Sequence, residues 1–264
     1  MWFSSTCALL ALSCMQTVGY VYPGIDIEGS VEMKSKVIVA LDFSSEQQVM
    51  DFVDRLSPDM CGLKVGKELF TKLGPRPVEV LIKKGFAVFL DLKFHDIPNT
   101  VERACAAARD LGVWMVNVHA LGGADMMQSA KIGLGATSDR PLLTAVTVLT
   151  SMDSAALSAV GLDATPEELV KRLARLAQSS GVDGVVCSAN EVRELTTILG
   201  DEFIKVTPGI RPAGVPNNDQ KRVMSPSKAI EEGASYLVIG RPITQARDPV
   251  GALTQVLEDI AGGV

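Results

Sequence analysis

The stretch Thr165–Cys187, TPEELVKRLARLAQSSGVDGVVC, holds one complete structural unit. Thr165 can cap a helix, and Pro166 suits the first helical position, where its missing N–H would have no intrahelical partner anyway. Glu168 stands where its carboxylate can reach back to the cap. Leu169, Val170, Leu173, Leu176 and Ala177 then recur at three- and four-residue spacing while Lys171, Arg172 and Arg175 fall elsewhere, as on a helix with one buried stripe. Gly181 ends that helix, because the left-handed residue that closes a helix costs least without a Cβ. Val182–Cys187 follows as a short, mostly apolar run of the kind that is buried on both faces of a sheet.

Working outward, the same order recurs: apolar run, polar turn, amphipathic helix, glycine. The runs are Val37–Asp42, Leu63–Val65, Phe86–Asp91, Trp114–His119, Leu142–Leu149, Val182–Cys187, Phe203–Thr207 and Tyr236–Ile239, with Gly85, Gly112 and Gly233 at further helix–strand junctions. Ser225-Pro226 opens another helix, and Ser44 with Gln47 is expected to open the first. Two-faced apolar strands alternating with one-faced helices call for a parallel sheet covered by helices. Eight such units fit a single (β/α)8 TIM barrel, which takes about 250 residues. A dinucleotide fold is disfavoured, because Asp42-Phe43-Ser44 follows the first strand where a glycine-rich turn would stand.

The 264 residues carry 25 Lys and Arg against 31 Asp and Glu, so no basic surface invites nucleic acid or an anionic membrane. The five cysteines are odd in number and form no CxxC pair, against a disulfide framework or a zinc site. No apolar run is long enough for a membrane span. A reducing cytoplasm is the simplest setting. Residues 1–35 lack the pattern of the rest. Up to Met33 they contain no Lys or Arg and only a short apolar stretch, Cys7–Leu12, which makes a poor secretory signal. They are expected to be an extension outside the barrel, with Met33 an alternative start, and residues 36–264 to be the catalytic domain.

In a barrel of this kind the chemistry sits at the C-terminal ends of the strands. Those ends carry Asp42; Lys64 and Lys67; Asp91, Lys93, His95 and Asp96; Asn117 and His119; Thr147, Thr150 and Ser151; and Gly240-Arg241. Three acids and three lysines thus stand at the ends of three neighbouring strands. Extended backbone would put Asp91, Lys93 and His95 on one face, although the strand is expected to end here and free the last residues to turn, and a lysine flanked by carboxylates is held in its cationic form, suited to proton donation or electrostatic work rather than Schiff-base chemistry. The same residues also fit an ion pair that closes the barrel. His119 is expected to satisfy a hydrogen bond in the barrel wall, and Cys187 and the Met126-Met127 pair to pack in the core. Pro208–Arg222 is a long turn-rich loop that reads either as a lid with phosphate ligands or as a surface insertion. With Gly240-Arg241 it stands where barrels commonly hold phosphate. The residues alone therefore reach a barrel for a phosphorylated metabolite with no evident metal cage or cofactor motif.

The run Asp91-Leu92-Lys93-Phe94-His95-Asp96-Ile97-Pro98-Asn99-Thr100 resembles the active-site motif of the orotidine 5′-phosphate decarboxylase family, in its bacterial form. Val39–Asp42, Leu63–Gly66, Val146–Ser151, Thr207–Arg211 and Ile239–Arg241 are similar to the family's other blocks, in the same order, and the likeness spans about residues 36–260. It implies cofactor-free, metal-free decarboxylation of orotidine 5′-monophosphate to UMP and CO2, the last step of de novo pyrimidine synthesis. It further implies that Lys93 donates the proton and that Asp91 lies beside the substrate carboxylate. Asp42 and Lys64 would bind the ribose and order the array, Thr150 would contact the pyrimidine, and Arg211, Gln220, Gly240 and Arg241 would hold the phosphate. Asp96 and Thr100 would enter the partner subunit's site, making a homodimer obligatory for catalysis. Two rivals stand beside this reading. One is a metal-dependent keto-sugar-phosphate decarboxylase or aldolase of the same superfamily, whose members carry an acid ligand where Lys64 stands. The other is a catalytically silent nucleotide-binding barrel.

Overall fold

The computed structural model describes residues 33–212 and 224–262. Along the chain run β1 (Val37–Ala40), α1 (Glu46–Val53), β2 (Gly62–Gly66), α2 (Lys67–Leu73), α3 (Arg76–Lys83), β3 (Val88–Phe94), α4 (Pro98–Asp110), β4 (Met115–His119) and α5 (Gly123–Leu134). They continue as β5 (Leu142–Val146), α6 (Ser154–Ala159), α7 (Pro166–Ser179), β6 (Gly184–Val186), α8 (Val192–Leu199), β7 (Ile204–Thr207), α9 (Pro226–Glu231), β8 (Tyr236–Ile239), α10 (Arg241–Thr244) and α11 (Pro249–Gly262). The eight strands pair in parallel, each with the next, and β1 closes the ring on β8 with Val37 opposite Leu237. The chain is a (β/α)8 TIM barrel. All eight expected strands are present, though some shift: β3 begins later than expected and runs three residues past Asp91.

The quoted unit folds as its sequence dictates. Thr165 Oγ1 accepts from the Glu168 N–H at 3.2 Å while Glu168 Oε2 accepts from the Thr165 N–H at 3.0 Å, a closed capping box. Such a cap contributes about 1 kcal/mol. Leu169, Val170, Leu173, Ala174 and Ala177 are buried, and Gly181 takes φ 78 before β6. The first helix departs from expectation by one residue. Ser45, not Ser44, has the extended backbone of a cap and accepts from the Gln48 N–H, while Gln47 donates to Asp51.

Strand alternation sorts the core into two parts. Val37, Val39, Leu63, Val88 and Leu90 point outward into the layer shared with the helices. Ile38, Ala40, Phe89, Met115, Val206 and Val238 point inward and fill the barrel. Met33, Trp114 and Tyr236 pack against that inner cluster at its lower end, the two aromatic rings meeting edge-on at 5.0 Å. Ser35 Oγ accepts from the Val37 N–H, and Lys34 pairs with Asp59. Charge near this end is structural: Arg140 grips Asp183 with two 2.7 Å bonds, and Asp183 also accepts from the Leu143 N–H, joining the start of β5 to β6. Lys205 points outward from β7, is buried, and donates to the Gly200 and Asp201 carbonyls just beyond α8. No helix among the described residues is long and apolar enough to cross a membrane.

Candidate active site

Below the strand ends the barrel is sealed by apolar side chains; at them it opens into a cavity of about 260 Å³. One wall is ionic. Lys64 projects inward from β2 with only 11% of its side chain exposed, its Nζ 3.6 Å from Asp42 Oδ1 and 3.2 Å from Asp91 Oδ2. Lys93 Nζ lies 2.5 Å from the other Asp91 oxygen. Acid and base therefore alternate through Asp42, Lys64, Asp91 and Lys93. Gly66 leaves room for this, since a Cβ there would stand 3.2 Å from Lys64 Nζ.

The Asp91 carboxyl is pulled two ways. Burial raises its pKa, but Lys64, then Lys93, then hydrogen bonds from Lys93 and Asn117 together outweigh burial and hold it below the usual carboxylate value. Asp91 is thus an anion clamped between two ammonium groups. The sequence allows either a structural ion pair or a reactive array. The structure turns this array toward open space, since Asp42, Lys64, Asp91 and Lys93 all line the cavity.

The opposite wall comes from later strands. Thr150, Leu149 and Val148 follow β5, Arg211 and Gly209 follow β7, and Gly240 with Arg241 follow β8, all on the same cavity. Arg211 is buried, its N–H donating to the Met224 carbonyl at 2.9 Å and its Nη1 to the Ile210 carbonyl at 2.9 Å. Gln220 and most of the Pro208–Arg222 loop lie outside the described residues. Asp96 and Thr100 do not line the cavity: the whole of His95–Thr100 is exposed, with Ile97 at 66% and Asp96 accepting from the Ile97 N–H.

The alternation of Asp91, Lys93 and His95 on one face is broken by the turn expected in the last residues, although the strand itself runs on to Phe94. Lys93 adopts φ 53, and the pairing of β3 with β4 slips between Leu90 and Phe94. Lys93 still reaches Asp91, but His95 leaves the site and lies over His119, ring centroids 5.5 Å apart. His119 does not satisfy a wall hydrogen bond through Nδ1, which is buried without a partner among the described residues. Burial first, then His95, Lys93 and Lys67, push its pKa down to about 4 against a pull from Asp91, so the ring is neutral near pH 7. Cys187 lines the cavity, but burial raises its thiol far above the usual range, which keeps it inert. Among the described residues no three of His, Cys, Asp and Glu gather as metal ligands.

Sequence reasoning named Asn117 as a strand-end residue but gave it no role. Asn117 is fully buried, donates from Nδ2 to Asp91 Oδ1 at 2.7 Å and accepts at Oδ1 from the Lys93 N–H at 2.8 Å. The signal was an amide on the inward face of an otherwise apolar strand, in phase with Met115.

Comparison with known proteins agrees with this geometry. The chain matches the model of the orotidine 5′-phosphate decarboxylase / HUMPS family over residues 35–256. It is 57% identical over 228 residues to the orotidine 5′-phosphate decarboxylase of Nitrosococcus oceani, covering 86% of this chain and 98% of that protein. It is 58% identical over 227 residues to that of Pseudoalteromonas atlantica, with the same coverage of both. The crystal structure of orotidine 5′-phosphate decarboxylase from Lactobacillus acidophilus shares the fold with TM-score 0.76 and 42% identity, over 85% of this chain and 98% of that one. On barrel, ionic array and these likenesses together, the chain belongs to the orotidine 5′-phosphate decarboxylase / HUMPS family.

Proposed function

We propose that this protein converts orotidine 5′-monophosphate to UMP and CO2 in pyrimidine biosynthesis, without a cofactor, and that Lys93 delivers the proton to C6. The observation that carries the reading is the alternating array Asp42–Lys64–Asp91–Lys93 on a cavity that also exposes Arg211, Gly240 and Arg241. Cleavage of the C6–carboxylate bond releases CO2 and leaves an electron pair in the plane of the pyrimidine, where the ring cannot delocalise it. Stabilisation must then come from fixed charge, which the Lys93 ammonium supplies before giving its proton to that pair. Lys93 recovers a proton from solvent.

Asp91 sits beside the departing carboxylate in this reading, and the cost of placing like charges together is met by binding energy from the ribose and phosphate. Asp42 and Lys64 hold the ribose, Thr150 the pyrimidine, and Arg211, Gln220, Gly240 and Arg241 the phosphate, Arg241 offering a bidentate fork. A metal-dependent reaction is disfavoured by what already fills the gap between Asp42 and Asp91: the Lys64 ammonium occupies the place a divalent cation would need.

The active unit in this proposal is a homodimer in which Asp96 and Thr100 complete the partner subunit's site. Their exposure on one chain, around the exposed apolar Ile97, supports it. Residues 36–264 form the catalytic domain and the residues before it an extension, supported by a family match over residues 35–256; the join is not sharp, because Met33, Lys34 and Ser35 already pack and bond against the lower end of the barrel. A cytoplasmic setting is supported by the buried free thiols of Cys61, Cys105 and Cys187. The test follows the loss of orotidine monophosphate absorbance with purified protein in excess chelator. Undiminished UMP formation is expected. A folded protein without turnover, or turnover abolished by the chelator, refutes the reading.

A further inference from the structure

We propose that Asn117 is a positioning residue that sets the geometry of the Asp91–Lys93 pair by holding the Lys93 backbone in its left-handed conformation; this rests on the decarboxylase reading. Among the described residues Lys93 is the sole non-glycine with positive φ, at 53°. Such a backbone persists only where its surroundings over-determine it, and it clusters where function needs it. At Lys93 the constraint is a side chain. The strand ladder slips between Leu90 and Phe94, and the Lys93 N–H is taken at 2.8 Å by Asn117 Oδ1. The other end of the same amide donates to Asp91 Oδ1 at 2.7 Å, the oxygen that also receives Lys93 Nζ at 2.5 Å.

The chemistry of the partners fixes which way the amide faces. A backbone N–H can only donate and an ionised carboxylate can only accept, so oxygen must face Lys93 and nitrogen must face Asp91. No other uncharged side chain of this length both donates and accepts there. Asn117 thereby turns the Asp91 carboxylate so that Oδ1 meets Lys93 while Oδ2, 3.2 Å from Lys64 Nζ, meets the other cation. Asn117 is fully buried and does not line the cavity, so it acts through its two neighbours and not on substrate.

Asn117→Ala removes both bonds and frees the Lys93 backbone. The expected result is a fall in kcat of about tenfold to a hundredfold, the scale of a misplaced reactive group, with KM within about threefold. Asn117→Asp keeps the shape but sets a second carboxylate against Asp91, so it must bind a proton to reproduce the amide. Its kcat is expected to be low at about pH 8 and to climb on acidification toward about pH 5.5 relative to wild type, as the protonated carboxyl again donates to Asp91 and accepts from Lys93. A kcat for Asn117→Ala within twofold of wild type, a loss confined to KM, or an Asn117→Asp profile parallel to wild type overturns the inference. If Asn117→Ala does not fold, the Asn117→Asp titration decides alone. Failure of the decarboxylase reading is separately visible as a wild-type protein without turnover. A crystal structure of Asn117→Ala then decides: relaxation of Lys93 from positive φ supports the inference, and an unchanged Lys93 with Nζ on Asp91 overturns it.

Discussion

Removing the Lys93 ammonium is the sharpest perturbation of the site. Lys93→Ala takes away a cation 2.5 Å from Asp91 Oδ1, and with it both the charge that meets the developing electron pair and the proton that quenches it. Positioned proton transfer contributes about 10²–10⁴ in rate, and one preorganised charge-stabilising donor about 10²–10³. Since one group performs both tasks, the expected loss in kcat is at least about 10⁴, or about 5 kcal/mol of barrier. The fold should survive, because Asp91 keeps Lys64 at 3.2 Å and Asn117 at 2.7 Å. Phosphate gripping should survive too, because Arg211, Gly240 and Arg241 come from other strands. The assay pairs initial rates of orotidine monophosphate loss with calorimetric binding of UMP. A variant that keeps a rate within about tenfold of wild type refutes the proton-donor role, since no effect of that size can be a lost general acid.

Three further outcomes follow from the geometry. Arg241→Ala should raise KM by about tenfold to a hundredfold, the worth of charged hydrogen bonds of about 1.5–3 kcal/mol, and unchanged kinetics on the phosphorylated substrate would count against the phosphate role. His119 has its pKa lowered to about 4, so the unfolded chain binds a proton first as pH falls; its stabilising share is whole above about pH 6.5 and is lost as pH falls toward about 4. With the ring partly exposed, that share is about 1 kcal/mol after screening, and urea titrations should show His119→Gln losing less stability than wild type between those limits; equal losses would dismiss the effect. Gly133→Ala should destabilise by about 1–3 kcal/mol despite alanine's better helix propensity, because its Cβ would lie 2.1 Å from the Glu102 carbonyl oxygen across the α4–α5 contact. A melting temperature at or above wild type would contradict that.

The order of strands and helices was legible because periodicity, caps and closing glycines are local. Thr165, Glu168 and Gly181 behave as their types and spacing require, wherever the unit sits. The first cap was misplaced by one residue because two adjacent serines, each with a glutamine three positions on, carry the same local signal, and only the backbone of Ser45 distinguishes them. Asp42, Lys64, Asp91, Lys93, Thr150, Arg211, Gly240 and Arg241 could be marked in advance, since charge and polarity at the ends of apolar strands cluster once the barrel closes.

The sequence by itself thus determined the alternation of elements, the barrel, the family and the charged residues of the cavity, all of which follow from patterns read within one segment or one motif. Tertiary structure decided which groups touch. Lys64 bridges Asp42 and Asp91 only because β1, β2 and β3 are neighbours in register, which brings charged groups far apart in sequence within ion-pair distance. The left-handed turn at Lys93, the departure of His95 and the hold of Asn117 arise where β3 slips against β4. That slip is a compromise between two strands, and neither strand's sequence contains it alone.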